Sequence, residues 1–461
     1  MSLWQAEKLA EIVQGTLVNG TDWQASSFSI DSRLIKPGDI FVAFKGKETD
    51  GHLYLDDAFK KGAVAALVEY IPEHNKNHYP LILISDNLRA IRLCADYNRN
   101  RLNSTVIAVT GSAGKTSTKE MLRIVMGACA NSFASYDNYN NLLGVPISLS
   151  NVPLDVKFAI FEMGMNHPGE IAELTAQVRP DISIITTVDA AHLEFFGSIE
   201  KIAESKAEIF LHNNKNGFAF IGNNNSLYPL LYNKAKECDI RNIISFGKNK
   251  GDGCKLIEYT ENQNYSVVKA DILGSIIKYK INSYGVHFAC NSLAVLGAAF
   301  VSGVDLKIVA DSLVRFGALA GRGAHHYVTR NTKHFLLIDD SYNANPLSIR
   351  AALNVLGNCK KLSGRRIAIL SDIYELGVDS PKLHQDLALD VINNNIDKVI
   401  AVGYNMQFLY NKLPSKKKLA SFTNTDEIIR VIDNYIEDGD MILIKGSFGT
   451  SIFKLVRELL S

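Results

Sequence analysis

A continuous apolar run, VIAVT (106–110), leads without a break into Gly111-Ser112-Ala113-Gly114-Lys115-Thr116-Ser117 and then into an amphipathic stretch, STKEMLRIVMGAC (117–129). A run that is apolar at nearly every position suits a strand covered on both faces, which is the inner strand of a parallel sheet with helices packed against it. The glycines of the turn allow backbone N–H groups to point inward around phosphate oxygens, and the N-terminus of the following helix adds partial positive charge. In that frame Lys115 reaches the β- and γ-phosphates and the Thr116 hydroxyl holds Mg²⁺. The longer pattern G-x-x-x-x-G-K-[ST] has glycine where Val109 stands, so the turn here is the shorter G-x-x-G-K-T.

The same grammar recurs. FAIFEMG (158–164) and ISIITTV (182–188) read as two more buried strands, each followed by a loop and a helical pattern. FLLID (335–339), RIAIL (366–370), KVIAVG (398–403) and MILIKG (441–446) repeat it, alternating with helical stretches such as LHQDLALDVINN. Such alternation specifies an α/β fold with parallel sheets. SVVKADIL and SIIKYKI are β-rich and suggest an antiparallel flank. At about 150 residues per domain, a chain of 461 residues suggests three. Breaks in pattern place them at 1–102 (smaller α/β), 103–318 (central phosphate-loop domain) and 319–461 (doubly wound, Rossmann-like).

Composition narrows the partners. A formal net charge of +1 gives no broad basic field for nucleic acid or a membrane surface. The six cysteines form no C-x-x-C pair or zinc spacing, as expected of a reducing compartment; Cys129 and Cys290 lie in apolar helical stretches and are expected in the core. The N-terminus lacks the apolar segment of a signal peptide, and no run of about 18 apolar residues occurs. The expectation is a cytoplasmic protein without membrane insertion.

Three residues downstream suit a Mg²⁺-nucleotide site. Glu162 ends a buried strand, where ligands of open α/β sheets bind and where an unpaired carboxylate is costly. His192 follows the next strand in DAAHLEFFG. Lys206 falls in the middle of the apolar face that Ile199, Ile202, Ala203, Ile209 and Phe210 make at helical spacing, with Glu204 and Glu208 pointing away. Burial lowers a lysine's pKa. A neutral amine can take up CO₂ as a carbamate able to bind Mg²⁺; equally, Lys206 could snorkel to the surface or pair with a carboxylate.

TGSAGKTS, DNYNNLLGVP (137–146), FEMGMN (161–166), AHLEFF (191–196) and SKAEIF (205–210) together resemble the Mur ligases of peptidoglycan synthesis. The resemblance implies that Lys206 is carbamylated, that Thr116 and Glu162 hold one Mg²⁺, and that His192 joins the carbamate at a second. Catalysis would rest on Lys115, Glu162, His192 and Lys206. ATP would lie on Gly111, Ser112, Ala113, Gly114, Lys115, Thr116 and Ser117, with Asn291 at adenine and Arg322 and Asp340 at the hinge and ribose side. SIDSRLIKPGDIFVAFKGKETDGHLYLDDAFKKGA (29–63) resembles the family's UDP-sugar domain, which implies that Ser32, Arg33, Thr49, Asp50, Gly51 and His52 lie near a UDP-muramoyl group. LIDDSYNANPLS (337–348), SDIYELG (371–377) and IKGS (444–447) resemble the member that adds D-alanyl-D-alanine to UDP-N-acetylmuramoyl-tripeptide, with Asn140, Asn141, Tyr342 and Asn345 as substrate contacts. A monomer is implied.

The alternatives are the sister ligase that adds the third residue, a folate polyglutamate ligase, or a phosphate-loop switch or motor ATPase. Some positions depart from the family. Phe288 replaces the first asparagine of G-x-H-N-x-x-N, Asp137 stands where glycine is common, Ala320 replaces the proline of P-G-R, and Phe448 replaces the arginine of K-G-S-R.

Overall fold

The apolar runs become the inner strands of three sheets in a computed structural model that describes residues 3–46, 49–73, 79–136, 138–262, 265–360 and 363–461. Asp137 lies outside the described residues. The first sheet has five strands in the order Thr16–Val18, Leu81–Leu83, Ala65–Val68, Asp39–Val42 and Ser27–Ser29. It is parallel except where Thr16–Val18 joins Leu81–Leu83. Every residue of Asp39–Val42 and of Ala65–Val68 is buried, which is why these segments lack an alternating pattern.

The helix Asn87–Arg101 follows, started by the Asp86 carboxylate, which accepts from the Arg89 N–H at 2.6 Å. It joins the first unit to the middle one. Its buried Asn98 donates to Leu149 O (2.8 Å) and Val152 O (3.0 Å). Asn151 reinforces the joint: its side chain accepts from Phe28 N–H (2.7 Å) and donates to Phe28 O (2.9 Å), as a neighbouring strand would.

The middle sheet has nine strands. Its heart is the parallel series Phe218–Gly222, Ile182–Ile185, Thr105–Thr110, Phe158–Glu162 and Ser132–Ala134. The expected antiparallel flank is present as Cys254–Glu261, Ser266–Ile272 and Ser275–Ile281. The nearly all-apolar helix Val286–Val301 is buried along most of its length against this sheet, because it meets the phosphate-loop helix Lys115–Gly127 as well as the strands.

The third sheet has six strands, ordered Ala324–Arg330, Lys333–Asp340, Met441–Lys445, Arg366–Ser371, Lys398–Val402 and Lys418–Phe422, with Ala324–Arg330 antiparallel at one edge. The buried clusters on its two faces draw their residues from 335–459 and none from the middle unit.

All six cysteines are free. Cys290 is buried as expected, but Cys129 is exposed: the helix ends at Gly127, so Cys129 sits in the turn after it rather than on its apolar face. Among the described residues no helix is long and apolar enough to cross a membrane.

Candidate active site

Thr105–Thr110 lies between Phe158–Glu162 and Ile182–Ile185, with Val109 opposite Glu162 and Thr110 opposite Ile185. Three carboxyl ends therefore open onto one crevice, where the chain crosses from one side of the central strand to the other between Phe158–Glu162 and Ile182–Ile185. The turn after Thr110 is pinned from the next strand. Thr186 Oγ1 donates to Ala113 O at 2.6 Å, Ser112 N–H donates to Thr187 O at 2.8 Å, and Ser112 Oγ donates to Asp189 O at 3.0 Å. A side chain at Gly111 (φ 150°) would put its Cβ 1.9 Å from Thr186 Oγ1, and one at Gly114 (φ 81°) would meet the Asn291 amide at 2.5 Å. Both glycines are thus required by contact as well as by conformation. Thr116 and Ser117 follow, buried, in the first turn of Lys115–Gly127.

Lys115 folds back over the loop, donating to Gly111 O at 2.7 Å. Burial lowers its pKa; the Glu162 carboxylate opposes that, and the Arg322 guanidinium adds to it. Glu162 is 2% exposed. One carboxylate oxygen accepts from Asn140 Nδ2 at 2.8 Å, while Oε2 is buried without a hydrogen-bond partner among the described residues. Lys206 is also 2% exposed, and among the described residues its ammonium has no hydrogen-bond or ion-pair partner. Burial first, and Lys115 second, hold its pKa well below the ordinary 10.5. Among the described residues Lys206 pairs with no carboxylate, and at 2% exposure it does not snorkel to the surface, so neither alternative open from sequence is seen. Glu204 points to solvent as expected, but Glu208 turns back to accept from Gly169 and Ala172 N–H and caps the helix Glu170–Val178.

The structure therefore places Glu162, Arg322 and Lys206 each within electrostatic reach of Lys115, with Asp340 in turn within reach of Arg322. A lysine buried like Lys206 is stable as the neutral amine, where anionic oxygens join it, or once the amine is converted to an anion. The unpartnered Glu162 Oε2 and Lys206 amine fit a divalent cation once Lys206 carries negative charge. Among the described residues no three His, Cys, Asp or Glu side chains cluster as a metal cage; the expected set uses only two such residues.

His192 faces the third unit. Its backbone is left-handed (φ 62°), it opens the short turn Leu193–Phe196, and its Nδ1 pairs with the Glu375 carboxylate of the third unit. Arg322 lies over the Tyr342 ring at 4.1 Å. Asp340 pairs with the buried Lys445 at 2.7 Å. Asn345 caps Pro346–Asn358 by accepting from Ser348 N–H and donates its amide to Ser112 O at 3.1 Å. Its side chain is thereby occupied in tying the third unit to the phosphate loop, rather than free for the incoming substrate. Asn140 holds Glu162, and Asn141 accepts from Leu143 and Gly144 N–H to start the helix Gly144–Ser150, so these two build the site's frame.

In the first unit Arg33 is exposed and pairs with Asp31 at 2.7 Å, and Ser32 is buried with its carbonyl accepting from Lys61. Thr49 O accepts from Gly46 N–H, closing the turn that Gly51 completes against Phe44. His52, expected near a sugar nucleotide, is 0% exposed. Its Nδ1 donates to Asp50 at 2.7 Å, its Nε2 accepts from Glu69 N–H at 3.0 Å, and its ring stacks on Tyr70. The side chain is a structural pin. His52→Ala is expected to cost about 3 kcal/mol by stranding both partners; thermal unfolding with substrate KM measured at low temperature checks it, and a large KM change without loss of stability would count against this reading. Asp50, held at about 2 by Tyr70 and His52 against desolvation, keeps this pin in place until well into the acid range.

Sequence reasoning missed Thr186, Ser135 (whose Oγ accepts from Glu162 N–H at 3.2 Å), Lys445 and Glu375. Lys445 and Glu375 sit in IKGS and SDIYELG, segments already conspicuous, but their partners lie in distant parts of the chain.

The chain matches the family descriptions "Mur ligase family, catalytic domain" over residues 24–117, "Mur ligase middle domain" over 109–299 and "Mur ligase, glutamate ligase domain" over 326–448. It is 36% identical over 98% of its length to 99% of the UDP-N-acetylmuramoyl-tripeptide–D-alanyl-D-alanine ligase of Rickettsia prowazekii (strain Madrid E). It is similar to the crystal structure of MurF from Acinetobacter baumannii (TM-score 0.85, 28% identity, 99% of this chain and 98% of that one). It is similar as well to MurF ligase from Thermotoga maritima in complex with ADP (TM-score 0.77, 26% identity, 94% and 97%). With the phosphate-loop crevice, these likenesses make the chain a member of the Mur ligase family.

Proposed function

We propose that this chain is the ATP-dependent ligase that couples D-alanyl-D-alanine to the terminal carboxylate of UDP-N-acetylmuramoyl-tripeptide in cytoplasmic peptidoglycan synthesis. The observation that carries it is a phosphate loop whose Lys115 lies within electrostatic reach of Arg322, of the buried Lys206 and of the buried Glu162 carboxylate, one oxygen of which has no partner among the described residues. A substrate carboxylate and a triphosphate are both anions, and a site that joins them must supply positive charge before they can meet.

The units divide the labour. Residues 1–102 hold the UDP-sugar end, 103–318 hold ATP, and 319–461 bring in the dipeptide. The N–H groups from Gly111 to Thr116 cradle the phosphates, and Lys115 leaves Gly111 O for the β- and γ-phosphate oxygens. Thr116, Glu162, His192 and Lys206 as its carbamate would hold two Mg²⁺, which when bound neutralise phosphate charge and orient the γ-phosphate. Asn140 fixes one Glu162 oxygen so that the other faces the site. The substrate carboxylate oxygen attacks the γ-phosphorus and ADP leaves; the dipeptide amine then attacks the acyl carbon, phosphate leaves, and the amine proton passes to solvent. Docking of the third unit, with Asn345 on Ser112 O and Arg322 near Lys115, shields the acyl phosphate from water.

A substrate panel tests the reading. Phosphate release is expected to require both UDP-N-acetylmuramoyl-tripeptide and D-alanyl-D-alanine, with mass spectrometry detecting the pentapeptide product. Turnover with a single amino acid on a dipeptide substrate, or ATP hydrolysis independent of both, would assign the chain to another reaction.

A further inference from the structure

The 371–377 loop is built rigidly onto its own unit. Ile373 N–H donates to His384 Nε2 (3.1 Å), Tyr374 N–H to Ser447 Oγ (2.9 Å), and Asp372 accepts Met406 N–H (2.7 Å) while its carbonyl accepts Ser447 N–H (3.0 Å). Where this loop meets the middle unit, Glu375 O accepts from Glu194 N–H at 3.0 Å, and Gly377 approaches so closely that a Cβ there would lie 3.2 Å from Glu194 Cα. The Glu375 carboxylate faces His192 Nδ1. Both residues hold left-handed backbone, at φ 63° and φ 62°, which non-glycine residues rarely adopt unless the surroundings impose it. The contact is an ion-pair approach, and among the described residues His192 Nδ1 has no other partner. Among the described residues nothing bonds His192 Nε2, and a cleft of about 760 Å³ lined by Leu193, Glu194, Tyr374 and Glu375 flanks the contact.

An imidazole that binds a cation through one nitrogen needs its proton on the other, and a carboxylate accepting that proton fixes the tautomer, orients the ring and raises its basicity. We propose that Glu375 is a positioning residue for His192, supplied by the third unit only when it docks, which fixes the proton on Nδ1 and leaves Nε2 as the electron-pair donor. Docking of the dipeptide-binding unit and readiness of the phosphate-binding unit are thereby coupled through one side chain. The inference rests on the metal role proposed above for His192, so the test separates the two.

The probes are Mn²⁺, titrated in the presence of ADP, and the ¹⁵N shifts of the His192 ring in the full chain without metal. Glu375→Ala and Glu375→Gln are expected to weaken the weaker Mn²⁺ site by about 10–100-fold, to leave ADP affinity within about twofold, and to lower kcat more than they raise KM. Glu375→Asp is expected to recover part of the loss. The ring shifts are expected to report one tautomer in the parent chain and a mixture in Glu375→Ala. If His192→Ala weakens Mn²⁺ but Glu375→Ala does not, or the parent ring already mixes tautomers, the positioning role is wrong. If His192→Ala leaves Mn²⁺ binding unchanged, the metal reading of His192 fails instead. A variant that loses activity only through earlier unfolding, with unchanged Mn²⁺ affinity, also overturns the proposal.

Discussion

Lys115→Ala is expected to lower dipeptide-dependent phosphate release and amide formation together, by about a thousandfold, since removal of one well-placed charge donor in a water-poor site typically costs 10²–10³ in rate. Fold stability is expected to hold or rise. The half-buried Lys115 has one carbonyl as its bonded partner among the described residues and lies near Arg322 and Lys206, so the folded chain carries a charge it would be more stable without. Lys115→Arg should not restore activity, because a planar fork does not fit a space shaped around a single ammonium. Steady-state rates with thermal unfolding on the same preparations check both halves. Activity within tenfold of the parent would remove Lys115 from the chemistry.

Lys206→Ala is the second large effect expected, a loss of about 10²-fold or more if the side chain supplies a carbamate oxygen to a bound cation. Short carboxylates such as formate or acetate, small enough for the space vacated, should restore part of it, and removal of CO₂ should slow the parent chain but not the variant. The unmodified amine also leaves a mark on stability. Its folded pKa is below its unfolded value near 10.5, so between the two the unfolded chain binds more protons and stability rises with pH. Lys206→Met should flatten that slope and unfold later near neutral pH. Denaturant titrations across pH, in CO₂-free buffer, measure it; a slope unchanged by the substitution would mean that the ammonium is solvated after all.

Much of the architecture is legible in one dimension because its causes are local. A strand covered on both faces must be apolar throughout, so Thr105–Thr110, Phe158–Glu162, Ile182–Ile185 and the inner strands of the third sheet announce themselves. The phosphate loop is legible for the same reason: its glycines, lysine and helix start are consecutive. Lys206 is readable as misplaced because helical periodicity alone puts it on an apolar face, and its 2% exposure follows from that face packing inward. Cys129 shows the limit of such reasoning, since an apolar pattern does not say where a helix stops.

The amino-acid order by itself determined the α/β layers, the nucleotide-binding turn and the identities of Lys115, Glu162 and Lys206 as unusual side chains. Tertiary structure alone decided what each polar group faces. His52 and Asn345 turn out to be held in hydrogen-bonded frames, and Asn140 in orienting Glu162, while His192 meets Glu375 across a seam between units. The reason is physical: burial of apolar surface depends on pattern and is non-directional, whereas a hydrogen bond or ion pair depends on two particular atoms meeting, and those atoms come from segments that nothing in the linear order relates.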